Sequence, residues 1–403
     1  MNTSRRDLWT GTYPTAGAGG PAGTGEGIWR VALDASTGGL GDARQVAVTP
    51  APSFLAAHPS GRVLYAVGED TAGTVTAFAV GDDGGLTPLA TVGSGGAHPC
   101  HLLLDDDART LLVANYSSGT LGVLPLDPDG RFAAEVLATG APAQVLGHEG
   151  AGPRADRQEG PHAHFVALAP GGRHVLVVDL GTDEVRRYTR DPGTGRLTDD
   201  GIAATLPPGT GPRHLAFAPT GEHAYLTGEL DNTVRVLAWD AASATGRLVQ
   251  TLPATTRGPA PVAPADLGPT GIPGSPDMPG PDDPGPVLPS HLALTGDRLL
   301  VATRTADVLA ELTVGPDGLL TPAAEVALPG RWPRHFAVVD GWVVVADQLS
   351  HGLSSLRVGA TEVTTTLALT SPACVVPVVG LRTEGAAGSA SAVGTAGAEG
   401  TAG

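Results

Sequence analysis

Five side chains in this sequence have types and spacings suited to general acid–base chemistry. His162 and His164 close the run Asp156-Arg157-Gln158-Glu159-Gly160-Pro161-His162-Ala163-His164. Arg213 stands beside His214, Glu229 follows His214 by fifteen residues, and Arg304 lies further along. A His/Glu pair can activate water, while guanidinium groups hold a carboxylate or phosphate or stabilise an oxyanion. That set fits attack on an anionic ester or lactone. Glu229 and either histidine are all candidates for the base, and the residues alone leave the choice open.

These residues sit in copies of one hairpin unit, and the unit must be what positions them. Each copy opens on a Pro-x-His-like corner: at Pro52, Pro99, His162, Pro212, Pro289 and Pro333. The third residues of the corners are Phe54, His101, His164, His214, His291 and His335, spaced by 47, 63, 50, 77 and 44 residues. The two long spacings contain insertions, one near Gly140 to Arg157 and one at 254–288. The second is a Pro/Gly/Asp tract too poor in apolar residues to form a core. Without them the period is about 45 residues, the size of a four-stranded propeller blade. After each hairpin comes a β-branched or alternating run such as Thr74–Val80, Thr120–Leu126, Glu184–Thr189, Thr233–Asp240 or Val308–Val314. Asp/Gly-rich turns and a fourth strand follow.

A seventh corner appears at Cys374, 39 residues after His335, but only one strand follows it. The missing strands of that blade stand at the other end, at Leu8–Tyr13, Gly27–Asp34 and Gln45–Val48. The expectation is an all-β, seven-bladed β-propeller of four-stranded blades over residues 1–382. Its ring would be closed by a C-terminal strand joining the N-terminal strands, which removes exposed edges. Residues 383–403 read as a disordered low-complexity tail.

In a hairpin, the start of the first strand and the end of the second share a rim. The second strands end at Glu69, Tyr116, Asp179, Glu229, Arg304 and Gln348, offset by 15 residues in four copies and 13 in the last two. One face therefore carries two concentric sets, the corner residues and this mixed set. Repeated corner histidines can be structural. Five polar types at one repeated position are what an asymmetric pocket needs. The candidate catalytic residues are His162, His164, Arg213, Glu229 and Arg304. The candidate substrate contacts are His101, Tyr116, Gln158, Asp179, His214, His291, His335 and Gln348.

The net charge of −17 opposes binding to nucleic acid or an anionic membrane surface. A small anionic substrate remains compatible where arginines concentrate. Two cysteines, Cys100 and Cys374, exclude a disulfide framework but leave one bridge open. No 18-residue apolar run is present, and no apolar segment follows Arg5-Arg6, so a cytoplasmic monomer is expected. No nucleophile elbow or P-loop occurs, and the glycine-rich stretch near Gly17 reads as a loop. Neither a cofactor nor a metal is expected, including at His162-x-His164.

The stretches LWTGTY, ANYSSGTLGV, DRQEGPHAH, VDLGTDEVRRY, GTGPRHLAFAPTGEHAYLTGEL and WPRHFAV extend over roughly residues 8–378. Through them the chain resembles the seven-bladed lactonase family, which includes propeller-type 6-phosphogluconolactonases and the fungal carboxy-muconate lactonising enzyme. The resemblance implies hydrolysis of a small anionic sugar lactone, 6-phosphogluconolactone first, to its acid without a nucleotide cofactor. A muconate-type cycloisomerase is the enzymatic alternative, and a binding scaffold the non-enzymatic one. The His, two Arg and Glu proposed for the fungal enzyme fall by motif on His162 or His164, Arg213, Arg304 and Glu229. Gly228 and Thr303 stand where the family often has Asn, which bears on the exact lactone.

Overall fold

The computed structural model describes residues 4–14, 23–25, 27–257 and 286–379. Among these, 28 strands, numbered here in chain order, form seven four-stranded antiparallel sheets. Blades 2 to 7 each begin with their innermost strand: β4 (Leu55–Ala57), β8 (Pro99–Leu104), β12 (Ala163–Leu168), β16 (Pro212–Phe217), β20 (Leu288–Thr295) and β24 (Pro333–Val339). Blade 1 is composite. Its order is β28-β1-β2-β3, with β28 (Pro372–Pro377) inside β1 (Arg5–Thr12), β2 (Ile28–Asp34) and β3 (Leu40–Ala47). The pairing Leu8↔Pro377 through Gly11↔Cys374 joins the two chain ends. Closure of this kind completes blade 1 and leaves only short, protected sheet edges around the ring.

Residue types follow distance from the axis. The second strands β5 (Val63–Gly68), β9 (Thr110–Asn115), β13 (His174–Asp179) and β25 (Trp342–Asp347) are buried at every position. They lie between neighbouring blades and read as apolar runs for that reason. Outer strands such as β19 (Thr245–Pro253) alternate between exposed and partly buried residues, because only one face is covered. Seven apolar clusters fill the seven interfaces between adjacent blades. At the closure, a Cβ on Gly11 would meet the Pro52 carbonyl oxygen at 2.0 Å, so the strand can approach blade 2 only as glycine.

Three boundaries differ from the sequence reading. The region near Gly140 holds a short helix, α1 (Ala134–Thr139), and the outer strand of blade 3, β11 (Gln144–Leu146), before the true insertion loop starts. Strand β3 begins at Leu40, earlier than the run from Gln45 suggested. Arg5 and Arg6 belong to β1, where Arg6 Nε lies 2.6 Å from Asp340. Residues 258–285 of the Pro/Gly tract, residues 15–22 of the glycine-rich loop and the tail from 383 lie outside the described residues.

Candidate active site

At the start of six inner strands the register slips by one residue, for example between Pro99 and His101, Pro212 and Leu215, or Pro333 and His335. Such a bulge sets two residues against one on the partner strand and re-aims their side chains. A regular strand would send successive side chains to opposite faces. Here Arg213 with His214, Arg334 with His335 and Ser53 with Phe54 all face one cavity on the propeller axis. The cavity has about 20 Å³ of water-accessible volume, room for about one water molecule, and Glu69, Cys100, His164 and Ala373 complete its wall.

The bulges also correct the repeat frame. In blade 4 Ala163 pairs with Asp179 and Phe165 with Val178, so the third corner residue is Phe165 and not His164. His164 occupies the position of Ser53, Cys100, Arg213 and Arg334, which is the cavity-facing one. The same shift makes Leu180, not Asp179, the equivalent of Glu69, Tyr116 and Glu229. One of the Asp179 carboxylate oxygens, Oδ1, accepts the backbone N–H groups of His162, Gly181 and Thr182 at 2.9–3.1 Å. Gln158 is likewise spent on the fold: its amide donates to Leu180 O and Asp183 Oδ1, both at 2.9 Å.

Glu229 lies at the centre of a buried ionic cluster. Arg157 Nη2 reaches Oε1 at 2.8 Å, and Arg213 Nε and Arg304 Nη2 reach Oε2 at 2.8 and 2.6 Å. Burial alone would raise the Glu229 pKa, but Arg304, Arg157 and Arg213 together hold it well below the usual carboxylate range. Each arginine has further partners. Arg157 also donates to the Tyr116 hydroxyl at 3.2 Å, Arg213 to Ser290 O at 2.6 Å, and Arg304 to Leu288 O at 3.3 Å. A carboxylate so stabilised is a poor proton acceptor. Glu229 and Arg304, 75 residues apart in sequence, are thus in direct contact.

A second carboxylate, Glu69, stands on the same rim in blade 2. Its Oε2 accepts from the Ser53 hydroxyl, and Arg334 Nη2 lies 3.9 Å from Oε1. Tyr13 also hydrogen-bonds Glu69, and the Arg334 guanidinium stacks on the Tyr13 ring at 4.0 Å. Arg334 Nη1 donates to Gln348 Oε1 at 3.3 Å. Burial raises the Glu69 pKa more than Arg334 and Ser53 lower it. Arg157, Arg213, Arg304 and Arg334 against Glu69 and Glu229 leave two excess positive charges within a chain of net charge −17.

The third corner residues form the floor. Phe54, His101, Phe165, His214, His291 and His335 make a closed ring of contacts with centroids 4.0–5.6 Å apart. Val166 N–H donates to His101 Nδ1 at 3.2 Å, and Val375 N–H to His335 Nδ1 at 3.3 Å. His214 and His291 share a 2.9 Å contact between their Nδ1 atoms. Burial, then neighbouring charges, push these rings well below the ordinary histidine pKa, so they are neutral. Of the expected substrate contacts, His214 and His335 reach the cavity, whereas His101 and His291 pack beside them.

The two motif histidines part company. His164 lines the cavity, and burial followed by Arg213 keeps it neutral. His162 is stacked on Tyr116 at 4.6 Å, with Nδ1 at 3.0 Å from Tyr116 O and Nε2 at 3.3 Å from Glu159. Three ionic residues of the site were not among the sequence candidates: Arg157, Arg334 and Glu69. Arg334 carried a signal, since Pro333-Arg334-His335 repeats Pro212-Arg213-His214. Glu69 stood in the rim set without a neighbouring motif. Among the described residues, no group of three or more His, Cys, Asp or Glu is placed to hold a metal ion. Cys100 and Cys374 are free thiols.

A family model described as "Lactonase, 7-bladed beta-propeller" matches residues 7–378. The chain belongs to that family. It is 30% identical over 345 residues to a protein of Bacillus subtilis named 6-phosphogluconolactonase, covering 84% of this chain and 87% of that one. Its fold is similar to a solved periplasmic gluconolactonase of Pseudomonas aeruginosa, with a TM-score of 0.76 and 29% identity over 93% of this chain and 99% of the other.

Proposed function

We propose that the protein hydrolyses the lactone of a sugar acid, with 6-phosphogluconolactone as the first substrate to test. One observation carries the reading: a small cavity walled by Arg213, Arg334, Glu69 and neutral His164, with two excess positive charges behind it. Guanidinium groups bind phosphate or carboxylate in a planar fork and stay charged. Arg213 and Arg334 would hold the anionic group or the carbonyl oxygen as it gains charge. The name of the Bacillus relative supports the phosphorylated substrate. The Pseudomonas relative, a gluconolactonase, supports the unphosphorylated one and sets the second arm of the test. A cytoplasmic location goes with the phosphorylated substrate, and no described helix is long and apolar enough to cross a membrane.

The experiment is hydrolysis of freshly made 6-phosphogluconolactone and of gluconolactone, each corrected for spontaneous opening. We expect a higher kcat/KM for the phosphorylated lactone and a loss of about 10²–10³-fold in Arg213→Ala. Rates with protein no higher than the spontaneous rate on either lactone remove the reading. A muconolactone in parallel separates hydrolase from cycloisomerase.

A further inference from the structure

We propose that Glu69, rather than Glu229, accepts the proton of the attacking water, with Ser53 holding its carboxylate and Arg334 beside the developing charge. The assignment rests on the lactonase reading above. It starts from access. Glu69 lines the axial cavity together with Ser53, His164, Arg213 and Arg334, whereas Glu229 does not reach its wall. Arg213 stands between Glu229 and the cavity.

The partners of the two carboxylates point the same way. Both Glu229 oxygens are held by guanidinium groups at 2.6–2.8 Å. Glu69 accepts from the Ser53 hydroxyl at Oε2 and is also hydrogen-bonded by Tyr13, and its nearest guanidinium is 3.9 Å from Oε1. An ionised carboxylate offers about four lone-pair sites, so Glu69 retains capacity for a water. Its place is fixed by the backbone. The N–H groups of Glu69 and Ser53 both donate to Ala51 O, at 2.9 and 2.8 Å, and Ala51 holds the corner at φ +50°. Burial raises the Glu69 pKa from the ordinary glutamate value, which brings it toward that of an effective base.

The step balances without a co-reactant. The water oxygen bonds to the lactone carbonyl carbon as Glu69 takes one water proton. The carbonyl π pair becomes the oxyanion, placed against Arg213 or Arg334. Its collapse breaks the ring C–O bond, and protonated Glu69 returns the proton to the departing ring oxygen, which becomes a hydroxyl. The new carboxylic acid ionises to solvent.

The test is the pH profile of kcat/KM for wild type, Glu69→Gln and Ser53→Ala on the lactone that wild type opens, with folding checked by circular dichroism. In wild type the rate should rise with pH as Glu69 ionises. Glu69→Gln should lose about 10²–10⁴-fold in kcat with little change in KM, and lose that acid limb. Ser53→Ala removes a bond that lowers the Glu69 pKa and does not act on His164, so its limb should move to higher pH. The Ser53→Ala loss should therefore be larger at acid than at neutral pH. Glu69→Gln with near wild-type kcat and an intact limb overturns the proposal. If Glu69→Gln does not fold, an unshifted limb in Ser53→Ala overturns it. Complete loss of turnover in Ser53→Ala overturns it too, assigning the attack to the serine hydroxyl. Wild type that opens no lactone overturns the lactonase reading itself.

Discussion

Glu229 and Glu69 occupy the same place in two blades, one residue past the end of a second strand, and are equally hidden from solvent. Their chemistry diverges because of what faces them. Glu229 meets three guanidinium groups, and the attraction outweighs the loss of hydration. Glu69 meets a serine, a tyrosine and one more distant arginine, and there the loss of hydration wins. Burial by itself thus says little about a carboxylate's role; the number of cations within contact distance decides it. A propeller is suited to making this distinction. Each blade supplies the same backbone position, and the neighbouring blades supply different partners.

The largest effect expected follows from breaking the Glu229 cluster. Glu229→Gln leaves Arg157, Arg213 and Arg304 without their shared anion, and removing one partner from a buried pair destabilises by about 3–5 kcal/mol. Glu69→Gln retains an acceptor for Ser53 and should destabilise by about 1–3 kcal/mol. Urea unfolding of both variants at pH 7 checks the order. The pH dependence separates them further. The folded pKa of Glu229 lies below its unfolded value, so its stabilisation is full above that value and fades as pH falls through the folded pKa. The Glu229→Gln deficit should therefore shrink in acid. The folded pKa of Glu69 lies above its unfolded value, so its contribution is greatest in acid and is lost as pH rises through the folded pKa. The Glu69→Gln deficit should shrink toward neutral pH. Parallel slopes for the two variants would end the contrast.

This contrast was only half visible in the sequence. The ring and its closure at Cys374 were legible because each blade repeats an apolar second strand, and all but blade 4 open on a proline at the corner. The pair Arg213/Glu229 was legible because both lie in one repeat copy. Blade 4 misled, since His162-Ala163-His164-Phe165 offers histidines at both frames. Only the pairing of Phe165 with Val178 shows that the bulge places His164 in the pocket and Asp179 outside it. Arg157 carried no repeat signal, because it comes from the insertion loop after β11. Its position depends on contacts with Tyr116 and Glu229, 41 and 72 residues away. Glu69 could not be ranked against Glu229, because counting arginines around a carboxylate requires knowing which blades face each other.

Arg157 gives the next test of the comparison. It reaches Glu229 from behind, while Arg213 and Arg304 hold the other oxygen. Arg157→Met would leave Glu229 with two cations, still more than Glu69 has. Its folded pKa should rise yet stay below the ordinary range, and Arg213 should lose its fixed position. We expect kcat/KM to fall by about tenfold, which corresponds to about 1.4 kcal/mol of lost transition-state stabilisation. The position of the acid limb should not move, because Arg157 does not rank among the charges acting on Glu69. A limb that shifts in Arg157→Met would return Glu229 to the role of base.

The smallest effect concerns the floor, where neutral rings replace charges altogether. His335 is pushed down to about 3, mainly by burial, with Arg213 adding to the shift. A histidine depressed in this way stabilises the fold above its unfolded pKa, about 6.5, and that stabilisation is lost as pH falls toward 3. Phe54 and Phe165 hold the equivalent corner in blades 2 and 4, so the ring already accommodates phenylalanine. His335→Phe removes the acceptor for Val375 N–H and should destabilise by about 1 kcal/mol at pH 7. It also removes a group that must be kept uncharged in acid. The stability curves of wild type and variant should therefore cross as pH falls through about 6, with His335→Phe the more stable below. Curves that never cross would mean that His335 is protonated in the folded floor, and that the cations above it leave the rings charged as well.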